Sequence, residues 1–457
     1  MIPLAESICS DNETGFRPGR GVADAAFLMR RIMDEWNNSC CDPGAVSDPD
    51  MSDSLHVLFI EMRRAFDAVP RSLLWRILHT KAKVPFHIVH LLDQLHCTMT
   101  TRVCHNGRLG PKVAMRTGVR QGSVEGPTLY LIYFSFVLKH WRSRCLASVG
   151  HFGVDWQGCT DGTLRVPSKI RKADCRFVSI SDAEFADDTV YLDSNWDRFQ
   201  TCCAILDDTL QLFGAQMNKA KTERLELEGF ATFKDAAPLP GRKVLWVNGV
   251  AIPKTAVFRY LGSMLSIDDS LGVKMDICRR VSLAHAAFGQ LRHVWRSRQL
   301  SLRLKRELLM SCVASVLLYG SELWTLDATD LRYLQRTWRS FLRNALCLSC
   351  NDIAENHISD LELHRRLGAP SILTLLHQRL TRWLGHLARL PVDRITRLLL
   401  FGTIQHRHSP PSVVTGRRHS YLSRVIGLLQ SLSEVDTRIW AQQAVDKVFL
   451  EKGGISH

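Results

Sequence analysis

Apolar and polar positions alternate along this chain with two periods, and they change over several times. Helical spacing runs over 23–36 (Ala23–Trp36). A stretch of turn formers at 38–54, N-S-C-C-D-P-G among them, predicts a loop. L-H-V-L-F-I at 55–60 is a short apolar strand, and Pro70 opens a helix through Leu78, since proline suits a first helical position. Asn106-Gly107 marks a hairpin over 98–116. The segment Pro127–Trp141 is apolar nearly all round and predicts a buried helix. Residues 150–180 read as a β-rich connection, and 177–192 as two short strands meeting at Asp187-Asp188. A helix is expected over Arg198–Phe213, strands over 243–265, and a helical, basic pattern from 272 onward with a loop at 405–416. There is no internal repeat and no low-complexity tract.

Composition narrows this picture. At 457 residues and 46% hydrophobic, the chain has material for two to four domains. Its net charge of +14 implies an anionic partner. That charge is lopsided: 271–457 carries 27 Lys+Arg against 14 Asp+Glu, whereas 1–270 carries 32 against 31. The C-terminal part therefore reads as a footprint for a phosphate backbone, although basic helix faces are often merely solvated. The N-terminal part keeps carboxylates for metal binding. The 14 cysteines are scattered, with no secretory signal ahead of them, which implies a reducing, intracellular setting, nuclear or cytoplasmic. The longest apolar runs are too short or too polar to span a bilayer, so no membrane partner is expected.

The chemistry concentrates in six blocks. F-A-D-D at 185–188 places two adjacent carboxylates at a tight turn between apolar strands. Like charges this close repel unless cations sit between them, and two-metal phosphoryl transfer needs such carboxylates. Taken alone, the block is equally an ordinary Asp-Asp turn. F-I-E-M-R-R-A-F-D at 59–67 is a strand ending in Glu61, followed by Phe66. G-V-R-Q-G at 118–122 is a glycine-rich turn ahead of the buried helix, where backbone can approach a flat ligand. N-K-A-K-T at 218–222 supplies Asn218 and Lys221, F-R-Y-L-G-S at 258–263 is a strand with a glycine, and G-F-R-P-G-R-G at 15–21 presents Arg17 and Arg20.

In this order the blocks resemble the motifs of non-LTR (LINE-like) retrotransposon reverse transcriptases. The likeness continues through L-L-Y-G-S-E-L-W (317–324) and R-L-T-R-W-L-G-H-L-A-R-L (379–390). It implies an α+β right-hand polymerase: partial fingers at 1–54, a palm at 55–265, a helical thumb at 266–345 and a basic helical region at 346–457. The implied activity is RNA-directed DNA synthesis with an RNA template, a DNA primer, dNTPs and two Mg²⁺ or Mn²⁺ ions. By resemblance, Glu61, Asp187 and Asp188 hold the ions, with the Met62 carbonyl as a further ligand. Phe66 lies under the sugar and excludes the 2′-hydroxyl. Gln121 and Gly122 line the nucleotide pocket, and Arg17 and Arg20 hold triphosphate oxygens. Lys221 protonates pyrophosphate, and Leu261 and Gly262 form the primer grip.

Three features depart from that pattern. The family places aspartate at position 61, and this chain has Glu61. Magnesium demands near-ideal octahedral geometry at about 2.0–2.1 Å, so a longer side chain predicts slow or absent catalysis. Glu125 adds a charge beside the nucleotide turn, where a helix N-terminus accounts for a carboxylate without invoking function. The family also carries more fingers motifs, and commonly an endonuclease domain, ahead of G-F-R-P-G-R-G; the resemblance thus implies a chain shortened at its N-terminus. Two other functions stay open: an inactive remnant that still binds nucleic acid, and a group II intron-type maturase. Cys347, Cys350, His357 and His364 form a candidate zinc set, with ordinary thiols and imidazoles as the alternative. Trp324, Trp338, Trp383 and Trp440 among basic helices suit base stacking, but their helical spacing favours a core.

Overall fold

The computed structural model describes residues 2–39, 54–159, 175–228, 243–297, 299–400 and 402–404, with 421, 424, 425 and 427 beyond them. The loops expected at 38–54 and 405–416 lie almost wholly outside the described residues, and Trp440 lies outside them altogether. The chain divides into two compact units, with the main sequence boundary between Leu261 and Gly262.

The first unit is built on a four-stranded antiparallel sheet. Its strands are β1 (Ser54–Ile60), β2 (Asp182–Phe185), β3 (Asp188–Asp193) and β4 (Glu223–Glu228), in the order β4-β1-β3-β2. β1 is buried at six successive positions, which explains why its sequence is an apolar run, broken only by His56, rather than an alternation. Leu58 and Ile60 share one core cluster with Tyr191 of β3 and with two helices, α2 (Gly126–Val149) and α3 (Trp196–Leu212). On the same strand, Phe59 stacks on Phe258 at 4.0 Å between ring centroids. Another helix, α1 (Val22–Ser39), packs against β2 and β4. Its Phe27, Met29, Ile32 and Trp36 are all buried.

Local chemistry sets the ends of these elements. α2 starts where Ser123 Oγ accepts the Gly126 N–H at 3.1 Å and Pro127 follows. It ends at Gly150 with φ 72°. Its buried run continues past the expected Trp141 to Cys145. α3 is capped by Asn195, whose side chain accepts from the N–H groups of Asp197 and Arg198. The hairpin forms as expected: Cys104 pairs with Leu109, and Asn106 and Gly107 take φ 48° and 76°, the two positive values of a tight hairpin turn. Pro70 differs from expectation. It precedes the helix Arg71–Arg76 rather than opening it, and the helix passes into a π turn at Ile77–Lys81.

The second unit is helical. α4 (Asp269–Gln290), α5 (Ala328–Ala345) and α6 (Ile372–Arg389) contribute to one core. Trp324 and Trp338 are buried there, with indole N–H bonds to Asp276 at 3.1 Å and to the Pro370 carbonyl at 3.0 Å. Trp383 is also buried, so these three indoles are core rather than a stacking surface. α5 begins with a capping box between Asp327 and Asp330. The Lys305 ammonium is buried and donates to the Trp295 carbonyl at 2.7 Å. Among the described residues no helix is long and apolar enough to cross a membrane.

Candidate active site

The sheet register brings the candidate carboxylates together. Ile60 pairs with Thr189 across β1 and β3, so Glu61 comes opposite Asp188 one step on. Phe185 pairs with Asp188 across β2 and β3, which leaves Ala186 and Asp187 as the turn. Ala186 takes φ 62°, a left-handed conformation that is costly for a residue with a Cβ. Three carboxylates separated by over 120 positions in sequence thus share one end of one sheet.

Their electrostatics are frustrated. Burial, then the charges of Asp187 and Glu61, push the Asp188 carboxyl up to about 6, partly offset by Arg259. An all-oxygen, like-charged donor set of this kind suits a hard divalent cation. The residues fit magnesium or manganese by chemistry, but not as a closed cage. Among the described residues, no group of three or more His, Cys, Asp or Glu side chains is drawn tightly enough together to hold an ion as it stands.

The other blocks surround this edge. Lys221 Nζ lies 3.7 Å from Glu61 Oε1, both well exposed. The Asn218 N–H donates to the Glu61 carbonyl at 2.8 Å, so the N-K-A-K-T block is fastened to the strand end it serves. Lys219 faces elsewhere, paired with Asp207 at 2.8 Å. Phe66 stacks on Tyr130 of α2 at 4.4 Å and meets Phe16 edge-on at 6.1 Å. The Tyr130 ring is buried, and its hydroxyl has no partner among the described residues.

The glycine-rich turn is held against the same loop. A Cβ on Gly118 would fall 2.7 Å from Asp67 Cα, and its φ is +87°. That close approach lets the Gly118 and Val119 N–H groups bond the carbonyls of Val69 and Phe66 at 2.8 and 2.9 Å. Gln121 Nε2 donates to Asp67 at 3.0 Å and is exposed, as is Gly122 with φ 79°. Glu125 is half-buried at the N-cap of α2 without a side-chain cap bond. Its place at a helix start is the one the dipole argument expects. Leu261 and Gly262 take φ 49° and 83°, a backbone reversal at the expected primer grip. Within the second unit, the Arg279 and Arg280 guanidiniums donate to the Gly262 carbonyl.

One expectation needs correction. Arg17 and Arg20 do not present free guanidiniums. Arg17 is buried and forks onto Glu6 with two bonds of 2.9 Å, while its other nitrogen donates to the Ser10 and Glu13 carbonyls. Arg20 is taken by the Asp11 carboxylate at 2.7 Å and by its carbonyl. These arginines fold the N-terminal turn, because a buried guanidinium must have its donors satisfied. Of the candidate zinc residues, two side chains have ordinary partners. Cys347 Sγ donates to the Trp295 carbonyl at 3.0 Å, and His364 Nδ1 lies 3.0 Å from the Ala369 carbonyl.

Sequence reasoning missed what backs the turn. A Cβ on Gly15 would lie 2.3 Å from the Ala186 nitrogen, and the Thr14 N–H and hydroxyl both donate to the Glu184 carbonyl at 2.8 and 2.9 Å. No local pattern links positions this far apart. The glycine of G-F-R-P-G-R-G was legible as a turn former, but not as the residue beneath F-A-D-D.

Comparison with known proteins gives a family match over this region. Residues 2–265 match the family model described as reverse transcriptase (RNA-dependent DNA polymerase), and 287–319 match a domain of unknown function (DUF6451). A curated Drosophila melanogaster protein, "Probable RNA-directed DNA polymerase from transposon BS", is 23% identical over 402 residues, 85% of this chain but 37% of that protein. The chain thus spans little more than a third of this relative's length. Among solved structures, a Candida albicans telomerase with a telomeric RNA fragment is 10% identical at TM-score 0.36, covering 89% of this chain and 58% of that one. An apo Candida tropicalis telomerase is 13% identical at TM-score 0.34, covering 88% and 61%. Superpositions this loose do not define a shared fold by themselves. The family match spans more than half of the sequence and includes every carboxylate of the site, and the chain belongs to the reverse transcriptase (RNA-dependent DNA polymerase) family.

Proposed function

We propose that this chain is the polymerase core of a non-LTR retrotransposon reverse transcriptase, extending a DNA primer on an RNA template. The observation that carries the reading is the register placing Glu61 opposite Asp188 beside the Asp187 turn, with Asp188 raised to about 6 by burial and then by the Asp187 and Glu61 charges. Asp187, Asp188 and Glu61 would hold two divalent ions, with the Met62 carbonyl as a further donor. When bound, such ions stabilise the attacking and leaving oxygens of the α-phosphate displacement. The Phe66 ring, backed by Tyr130, would occupy the space of a 2′-hydroxyl and so select deoxynucleotides. Gln121 and Gly122 would border the base and sugar. Lys221 would pass a proton to departing pyrophosphate, and the turn at Leu261 and Gly262 would seat the primer end. The division into partial fingers to 54, palm to 265, thumb to 345 and a basic C-terminal region goes with this reading.

Primer extension by the purified chain on poly(rA)/oligo(dT), in Mg²⁺ and in Mn²⁺, tests it. Incorporation that disappears in Asp187→Ala is the expected result. A second reading has its own support: Glu61, where the family has aspartate, suits an inactive remnant that grips nucleic acid. Template-primer binding without extension in either metal would favour that remnant.

A further inference from the structure

Beneath the Asp187-Asp188 turn lies a buried ionic cluster that the proposed chemistry does not use. Arg142 of α2 reaches three carboxylates. Its Nε donates to Asp182 Oδ2 at 3.0 Å, Nη2 to Asp182 and to Glu184 Oε1 at 3.1 Å, and Nη1 to Glu13 Oε1 at 3.3 Å. Glu13, Asp182 and Glu184 are each at most 2% exposed. Hydroxyls complete the cluster: Ser10 donates to Glu13 at 2.7 Å, Ser135 also donates to Glu13, and Ser181 donates to Asp182.

Such a cluster is expensive to bury, and well-packed apolar side chains would often serve stability as well or better. Its placement gives a reason for it. Asp182 and Glu184 belong to β2, which runs directly into Ala186 and Asp187. Glu13 bridges to Glu184 from the segment that also sets Gly15 against the Ala186 nitrogen. Ala186 holds its left-handed φ of 62° with a Cβ, a conformation that persists only where the surroundings over-determine it. Burial acts to raise Asp182, but the Arg142 guanidinium and the hydrogen bonds bring it down, while burial beside Asp182 drives Glu184 well above the usual carboxylate range. A planar fork with several donors can tie three carboxylates at once, which an ammonium cannot match.

We infer that Arg142 is a positioning residue: by clamping Glu13, Asp182 and Glu184 it fixes the strand that carries Asp187 and Asp188, and so sets where those two carboxylates sit. It touches neither substrate nor reacting atoms. The inference deepens the polymerase reading and rests on it for its kinetic readout alone.

The test compares the full chain with Arg142→Gln, Arg142→Lys and the charge-matched Arg142→Gln/Asp182→Asn. The double variant keeps the net charge of the cluster although Glu13 and Glu184 lose the guanidinium, so it separates misplacement from an added buried charge. Each is measured for kcat, dNTP KM, template-primer Kd, melting temperature, and Mn²⁺ affinity by electron paramagnetic resonance with Mn²⁺ alone. A folded double variant should lose about 10- to 100-fold in kcat and in Mn²⁺ affinity, at dNTP KM and template-primer Kd within about twofold. Arg142→Lys should fall between wild type and Arg142→Gln. A folded double variant with wild-type kcat and Mn²⁺ affinity overturns the inference. So does a joint loss, with lower kcat and melting temperature and higher KM and Kd, which marks a purely structural role. If the wild-type chain extends no primer, the polymerase reading fails by itself and the Mn²⁺ titration decides: retained affinity in the double variant, or no affinity in wild type, overturns the role of Arg142.

Discussion

Glutamate at position 61 carries its carboxylate one methylene further from the strand end than aspartate would. The register puts that strand end opposite Asp188, and Lys221 already pairs with the extended side chain at 3.7 Å. A shift of about 1 Å in a reacting assembly costs on the order of 100-fold in rate. Glu61→Asp should therefore raise the primer-extension rate at saturating dNTP by roughly 10- to 100-fold; an unchanged rate would place any lesion elsewhere. At Gly118 the constraint is steric. A Cβ there would lie 2.7 Å from the Asp67 backbone with φ at +87°. Gly118→Ala should lower the unfolding free energy by about 2 kcal/mol or more, read as a shifted denaturant midpoint. Both positions were visible in the sequence as motif members. The reason each residue type matters there was not, because neither Asp188 nor Asp67 is a sequence neighbour.

Among the elements, β1 shows how a strand inside a sheet acquires a pH dependence. His56 lies within its apolar run, 1% exposed, between Trp196 and Phe199, with Nδ1 3.7 Å from Glu226. Burial is the largest influence on it. Glu226 favours the charged form and Lys243, Arg224 and Lys254 oppose it, and the balance takes the imidazole down to about 4 from 6.5. A folded-state value below the unfolded one means the contribution is whole above pH 6.5 and is lost as pH falls towards 4. Wild type should lose about 3 kcal/mol of stability over that window from this group. His56→Gln should flatten that part of the profile in melts between pH 7.5 and 4.5; an unaltered slope would show that other groups govern it. Element boundaries elsewhere followed local signals closely. α3 and the Asn106-Gly107 hairpin formed as the caps and turn residues indicate. Pro70 stands one position before its helix, at the N-cap, where its carbonyl accepts from the Leu74 N–H at 3.0 Å.

For the whole molecule, charge is the property that carries furthest. The excess of positive charge after residue 270 belongs mainly to the helical second unit. Arg292, Arg296, Arg303 and Arg336 are among its exposed side chains. If those charges meet a phosphate backbone, the full chain's affinity for an RNA/DNA template-primer should fall at least tenfold between 50 and 200 mM salt, since six to ten contacts would cost about 10³–10⁵. A salt-insensitive affinity in a filter-binding titration would mean that the basic faces are only solvated. The buried Trp295, Trp324, Trp338 and Trp383 of this unit direct the search for contacts to its arginines rather than its indoles.

The family resemblance, the order of the blocks, the apolar β1, the buried α2 and the two adjacent carboxylates at 187 and 188 were all legible in the chain alone, because each is a local pattern of spacing or composition. Tertiary structure decided everything that depends on pairing across distance. It set Glu61 opposite Asp188 through strand register, and put Tyr130 beneath Phe66 through helix packing. It withdrew Arg17 and Arg20 from the ligand side by giving them Glu6 and Asp11. It also gathered Glu13, Arg142, Asp182 and Glu184 into one buried cluster. One cause covers the charged groups among these. A charged side chain's role is fixed by the groups that compensate it once water is removed, and those groups are neighbours only after the chain has folded.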